Sequence, residues 1–307
     1  MHKYALIMHT YSKKQGNYSE VINIGEKKMK KVLAVLLTLA MIFSFAACGG
    51  EKGGKVVDNP YGVINPGKLT IATSPDFAPY EFYTVDAAGN YTLAGFDPAM
   101  AKYVADYLGL ELDVIPMDFD GCLAELASKN VDCVFAGLSP DPDRMDNMDF
   151  SDIYYKGGQS FCVAKANENL FASLADTNDA KYQIGAQNGS IQMDLAMENS
   201  PNADVVAQTK VTEIIADLLA GNLDGAYIET AVAETYAISY PDLVVKFDVP
   251  YDVAGSAVGV VKGNEALLKG VNEAVAKALA DGSMDKFVAQ ANEDSTGNIF
   301  EGIPDAK

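Results

Sequence analysis

From residue 68 onward the chain alternates short apolar runs with stretches in which apolar side chains return at helical spacing. Lys68–Thr73, Glu111–Pro116, Val131–Ala136 and Gln159–Ala164 read as strands, as do 183–187, 203–207, 224–228, 243–247 and a last run near 257–262. Helices are predicted at Gly121–Lys129, from about Ser190, at 211–220, at 230–239, from 265 to about 280, and over roughly 283–291. Another opens at Gly95-Phe96-Asp97-Pro98, with Asp97 as N-cap and Pro98 in the first turn. Its apolar stripe is Met100, Tyr103, Val104, Tyr107 and Leu108, and Gly109 stops it. The helix from 265 is expected to bury Leu268, Val271, Val275 and Leu279.

Elements alternating at these lengths define an α/β protein with mixed, mostly parallel sheets, and two successive clusters of them suggest two lobes. Ligands in such sheets bind beyond the carboxyl ends of strands, near helix N-termini. Chemistry is therefore expected in the loops after Thr73, Ala136, Gln187 and Ile228.

The N-terminal part follows different rules. Met29-Lys30-Lys31, an apolar run from Val32 to Phe45, and Ala46-Ala47-Cys48 together read as an export signal over 29–47. The run is shorter than the ~20 apolar residues that span a bilayer. Residues 1–28 do not fit this signal, and Gly25-Glu26-Lys27-Lys28 can be encoded as a purine-rich ribosome-binding sequence, so Met29 is the expected start. Gly-rich and Pro-containing sequence from 48 to 67 reads as a tether, and 293–307 as a C-terminal tail.

The charge is −19, and removing residues 1–47, with seven Lys and two Glu, leaves −24. Nucleic acid and anionic lipid surfaces are poor partners for such a body. The only histidines are His2 and His9, so histidine-based catalysis and His-rich zinc sites have no material, and no motif calls for a cofactor or a metal. Cys122, Cys133 and Cys162 are odd in number, so at least one is a free thiol, while a Cys122–Cys133 bridge stays open. One arginine, Arg144, stands against many lysines.

The loops carry Ser74-Pro75-Asp76-Phe77-Ala78-Pro79-Tyr80-Glu81, then Asp118-Phe119-Asp120-Gly121, then Gly137-Leu138-Ser139-Pro140-Asp141-Pro142-Asp143-Arg144, then Asp149-Phe150-Ser151 and Tyr154-Tyr155. In this order and spacing they resemble the bacterial extracellular solute-binding proteins of family 3, over about residues 68–292. The resemblance implies a periplasmic-binding-protein type II fold, two lobes joined by two hinge strands that close on an amino acid. Lobe one would be 68–161 plus 258–292 and lobe two 162–257, with crossings near Ser160–Ala164 and Ala257–Val261. The small residues before Cys48 likewise resemble a lipoprotein cleavage site, with Phe45 where Leu is usual, and imply a diacylglyceryl anchor on Cys48. Ordinary secretion is the alternative.

The resemblance also assigns residues. Arg144 would clasp the ligand α-carboxylate, which suits a planar fork of donors better than a lysine. Ser139 would reach the same carboxylate and Gly137 would let the backbone approach it. Gln187-Asn188-Gly189-Ser190 matches the turn that offers helix amides to that carboxylate, although Ser190 is equally a plain N-cap. Phe77 and Phe119 would sandwich the ligand side chain, or simply pack. Glu229 stands where the family has the Asp that holds the α-ammonium. Ser74 stands where relatives with basic ligands have Asp, so a neutral polar amino acid is narrowly favoured over a basic one.

The expected function is a lipid-anchored, extracytoplasmic, monomeric receptor that hands a free amino acid to the membrane subunits of an ABC importer, with no catalytic residue. The alternatives are a dehydratase-like enzyme acting on a cyclic carboxylic acid, with Glu229 or Asp76 as the acid, and a surface adhesin or sensor lipoprotein.

Overall fold

The computed structural model of the chain describes residues 58–252 and 255–296, and the strand at 299–300. All of them lie in one unit that begins at Val57. The expected start at Met29, the signal, the cleavage site and Cys48 lie outside the described residues.

The chain opens with β1 (Lys68–Thr73), β2 (Asp76–Phe77), β3 (Glu81–Val85) and β4 (Tyr91–Ala94), then α1 (Phe96–Leu108), β5 (Glu111–Pro116), α2 (Phe119–Ala127), β6 (Cys133–Val134), β7 (Met148–Tyr155) and β8 (Gln159–Ala164). It continues with β9 (Gln183–Gln187), α3 (Ile191–Asn199), β10 (Asp204–Gln208), α4 (Val211–Ala220), β11 (Gly225–Glu229), α5 (Thr230–Ser239), β12 (Leu243–Val249), β13 (Ser256–Val261), α6 (Glu265–Ala280), α7 (Ser283–Asp294) and β14 (Ile299–Phe300). Two five-stranded sheets result, ordered β5-β1-β6-β13-β7 and β10-β9-β11-β8-β12. Both are mixed and built alike: β1 pairs β5 and β6 in parallel while β13 runs antiparallel to β6 and β7, and β9 pairs β10 and β11 in parallel while β8 runs antiparallel to β11 and β12.

The chain passes from the first sheet to the second between Tyr155 and Gln159 and returns between Val249 and Ser256. Ser160–Ala164, expected to cross, lies within the second sheet, and Ala257–Val261 lies within the first. The passages are instead the short linkers that precede these strands. The described cysteines Cys122, Cys133 and Cys162 are all free and buried, so the bridge between Cys122 and Cys133 is not formed.

Several local expectations are corrected. Gly95, not Asp97, is the N-cap of α1, and Asp97 turns inward as a fully buried residue of the first turn. α6 buries Leu267, Gly270, Val271, Ala274, Val275 and Ala278, while Leu279 is 47% exposed. The small residues Gly270, Ala274 and Ala278 set that face because they let α6 lie close on α1: a Cβ on Gly270 would stand 2.6 Å from Leu108 Cδ2. Residues 76–85 and 148–155, whose polar positions mask any alternation, form the strands β2, β3 and β7 and not loops, and β4 pairs with β3 beside them. The expected strand at Val131–Ala136 pairs only at Cys133–Val134.

Candidate functional site

The loops at the carboxyl ends of the strands meet where the two lobes face each other. After β1, Ser74 Oγ donates to Asp76 Oδ1 at 2.8 Å. Asp76 Oδ2 accepts the Val211 N–H at 2.6 Å, so a carboxylate of lobe one sits on the N-terminus of α4 in the other sheet's lobe. Tyr236 OH adds a bond to the Asp76 carbonyl at 3.2 Å. Burial outweighs these donors and pushes the Asp76 carboxyl up to about 6.

The loop after β6 turns at Gly137, whose φ of 56° is open to glycine and strained for other residues. There is no room for a side chain either, since a Cβ would stand 2.8 Å from Phe77 Cε1. Two residues on, Ser139 is buried and its carbonyl accepts Arg144 Nη1 at 3.2 Å. Arg144 closes a short 3-10 turn, Pro142–Arg144, which Asp141 caps by accepting the Asp143 N–H. Its second arm, Nη2, donates to the Gly189 carbonyl in the other lobe at 3.1 Å. Its guanidinium carbon lies 5.6 Å from the centroid of Phe119, which starts α2, a cation–π contact. Among the described residues Arg144 forms no ion pair. Burial holds its pKa below the usual guanidinium value, partly offset by Asp141, Tyr251 and Asp194 nearby.

On the second lobe, β9 ends at Gln187 and α3 starts after Ser190. Ser190 is an N-cap: its hydroxyl accepts the Met193 N–H at 3.3 Å and donates to the Gln187 carbonyl at 2.7 Å. Its own N–H also turns back to the Gln187 carbonyl. Gln187's side chain donates to the Thr209 carbonyl, so its amide is directed at the loop before α4. Asn188 Nδ2 reaches Asp120 Oδ2 across the lobes at 2.9 Å.

Glu229 ends β11 and caps α5, its Oε2 accepting the Val232 N–H at 2.9 Å. Its Oε1 accepts Tyr80 OH from lobe one at 3.1 Å and the Gly158 N–H from the first passage at 3.3 Å. It is 4% exposed, and no ion pair reaches it among the described residues. Burial pushes it from 4.5 up to about 7 against the pull of those donors.

The structure thus gathers Arg144, Phe119, Ser139 and Gly189 at one end, and Phe77, Gly137, Tyr80 and Glu229 at the other, joined by the 137–139 loop. Gln187 and the Ser190 hydroxyl stand beside this set but are engaged in the turn itself, and Ser74 is engaged with Asp76. Two contributors were not singled out from the sequence. Tyr80 matters because its hydroxyl is a side-chain donor to Glu229 from the first sheet's lobe, and nothing in its spacing marks it. Tyr251, on the return passage, has a buried hydroxyl without a hydrogen-bond partner in good geometry, close to Arg144 and Ser139. The described residues contain no cluster of His, Cys, Asp and Glu that would hold a metal ion.

Residues 69–292 match the bacterial extracellular solute-binding proteins, family 3. The chain is 32% identical to the arginine-binding extracellular protein ArtP of Bacillus subtilis over 84% of its own length and 96% of that protein's. It is 27% identical to the L-cystine-binding protein TcyJ of Escherichia coli, over 86% and 94%. It superposes with a TM-score of 0.72, at 32% identity, on an amino acid ABC transporter substrate-binding protein, AbpA of Streptococcus pneumoniae, solved bound to L-arginine; the match covers 76% of this chain and 97% of that one. The chain belongs to the bacterial extracellular solute-binding proteins, family 3.

Proposed function

We propose that this protein is the receptor of an amino-acid ABC importer, closing its two lobes around one free polar amino acid and presenting it to the membrane subunits. The observation that carries the reading is the state of Arg144: a half-buried guanidinium with no ion pair among the described residues, its two arms on backbone carbonyls of opposite lobes. Neutral carbonyls are weaker acceptors for a guanidinium than a carboxylate, and an arriving α-carboxylate supplies a bidentate anionic one. The buried Glu229 carboxylate, met only by neutral donors, is the complementary group for the α-ammonium. Phe77 and Phe119 flank the side chain. Ligand contacts made to both lobes favour the closed form, which is the conformational change an importer reads.

Lobe one is 68–161 plus 258–292 and lobe two 162–257 in this reading, with the passages before β8 and β13 as hinges. Cys48 carries the lipid anchor, the protein works outside the cytoplasm as a monomer, and no residue performs catalysis.

A neutral polar side chain suits the surroundings of Phe77, because Ser74 and Asp76 spend their oxygens on each other and on Val211. A basic side chain is the second reading, favoured by relatives whose names state arginine binding. A thermal-shift screen of the purified protein against the twenty amino acids tests both. A true ligand at a hundredfold excess over its dissociation constant adds about 2.7 kcal/mol of apparent stability. A shift with arginine or lysine alone selects the second reading, and no shift with any amino acid overturns the receptor. Chemical conversion of a ligand would instead favour an enzyme.

A further inference from the structure

Glu81 is a carboxyl group that the ligand contacts above do not use, and its surroundings are unusual. It opens β3, is 0% exposed, and neither of its oxygens meets a donor in good hydrogen-bonding geometry. What it faces is a second carboxyl, that of Asp97. The backbone forces the two together. Phe96 N–H donates to the Pro79 carbonyl at 3.2 Å and Asp97 N–H to the Tyr80 carbonyl at 2.9 Å. Gly95 lies so close to the Tyr80 carbonyl that any Cβ would overlap it.

Two carboxylates that face each other away from water do not both ionise. With one proton between them they form a short O–H···O⁻ bond, which two bare carboxylates cannot. The donors decide which group keeps the proton. Asp97 Oδ1 accepts Tyr154 OH at 2.7 Å and Asp97 Oδ2 accepts the Gly137 N–H at 2.8 Å, and both bonds favour a carboxylate there. Glu81 has only the Ser74 backbone N–H nearby. The other titratable groups facing Glu81 are Asp76 on β2, Tyr154 on β7 and Cys122 on α2, none of them a cation. Burial raises both members of the pair, but the donors to Asp97 hold it to about 7, while burial and the two aspartates push Glu81 well above the usual carboxyl range.

We propose that Glu81 is a positioning residue for the ligand, a neutral carboxylic acid that donates to Asp97 and so keeps Asp97 a fixed anion holding the Gly137 amide. The Gly137 amide begins the loop whose next turns present Ser139 and Arg144, so the pair props the end of the site that receives the α-carboxylate. When Glu81 loses its proton to solvent, the two adjacent anions repel, Asp97 shifts, and the 137–139 loop loses its anchor. The proton itself is a property of the folded chain; its effect on binding rests on the amino-acid receptor reading.

Glu81→Gln is the discriminating variant, because the amide is neutral, similar in size and still a donor to Asp97. Infrared difference spectra of the ligand-free proteins near neutral pH are expected to show a protonated-carboxyl band in the wild type that Glu81→Gln lacks. By calorimetry, Glu81→Gln should bind the amino acid within about threefold of the wild type near pH 7, whereas Glu81→Ala, which leaves Asp97 without this donor, should lose roughly tenfold. On raising the pH to about 10, the wild type should lose roughly tenfold more affinity than Glu81→Gln; the ligand's own ammonium titrates equally for both and drops out of the ratio. An identical infrared band in both proteins overturns the proposal, as does a Glu81→Gln protein that fails to fold or binds more than about tenfold worse near pH 7. If neither protein binds any amino acid, the infrared result still decides where the proton sits, and it is the receptor reading that has failed.

Discussion

The Tyr80 hydroxyl donates to Glu229 Oε1 at 3.1 Å, joining residues 149 apart in sequence and on opposite lobes. The same oxygen accepts the Gly158 N–H from the first passage, so one carboxylate touches lobe one, lobe two and the hinge. A group so placed senses closure directly. Tyr80→Phe removes the bond while keeping the ring that packs on Phe77 and Phe96. Amino-acid affinity should fall roughly three- to tenfold, the effect of one lost hydrogen bond to a buried carboxylate, measured by calorimetry near pH 7. An unchanged dissociation constant would show that Glu229 does not report closure.

Arg144→Lys keeps the charge and loses the fork. Binding should weaken by about 2–5 kcal/mol, since the carboxylate loses its paired donors in a buried setting. The unliganded variant should stay close to the wild type in urea, because the native guanidinium is only half-buried and forms no ion pair among the described residues. Equal loss of stability and affinity would mark Arg144 as structural.

Burial raises both Asp76, from 3.8 to about 6, and Glu229, from 4.5 to about 7. In the window between those ordinary values and the folded ones, the folded protein holds protons that the unfolded chain releases. Stability is therefore greatest at the acid end of the window and falls as the pH rises through it, and the buried Glu81, raised further still, carries the fall to higher pH. The urea midpoint should be higher near pH 5 than near pH 8, and Glu229→Gln should flatten the slope. A midpoint that rises over this range contradicts the assignment.

Tyr251→Phe tests the unexpected neighbour of Arg144. Its hydroxyl is buried without a partner in good geometry, so removing it should cost no stability in the free protein. Ligand affinity should fall about threefold or more if that hydroxyl donates to the bound carboxylate. A loss of thermal stability with affinity intact would assign it to packing.

The strands β1, β9 and β11 were legible as short apolar runs because nearly every residue in them is buried, and α1 and α4 because each buries one face. Motif spacing singles out Arg144, Phe119, Ser139 and Gly137, and the fold brings Arg144 to Ser139 and Phe119. Asp97 was not, because an acid before Pro98 reads locally as a cap, and only the tertiary contact with Gly137 and Tyr154 turns it inward. Tyr80, Tyr251 and Glu81 owe their roles to elements that meet across the fold, which no local period records. Gln187 and Ser190 show the opposite limit: the turn they form was readable, but its internal hydrogen bonds, which engage the Ser190 hydroxyl and direct the Gln187 amide at Thr209, were not.

The central claim is that Arg144 receives a free α-carboxylate. Calorimetric titration with the best amino acid and with its α-carboxamide, on the wild type and on Arg144→Ala, tests it most directly. The wild type should bind the carboxamide at least about a hundredfold more weakly than the acid, while Arg144→Ala should bind the two with nearly equal, low affinity. A carboxamide that binds the wild type within about threefold of the acid would contradict the account.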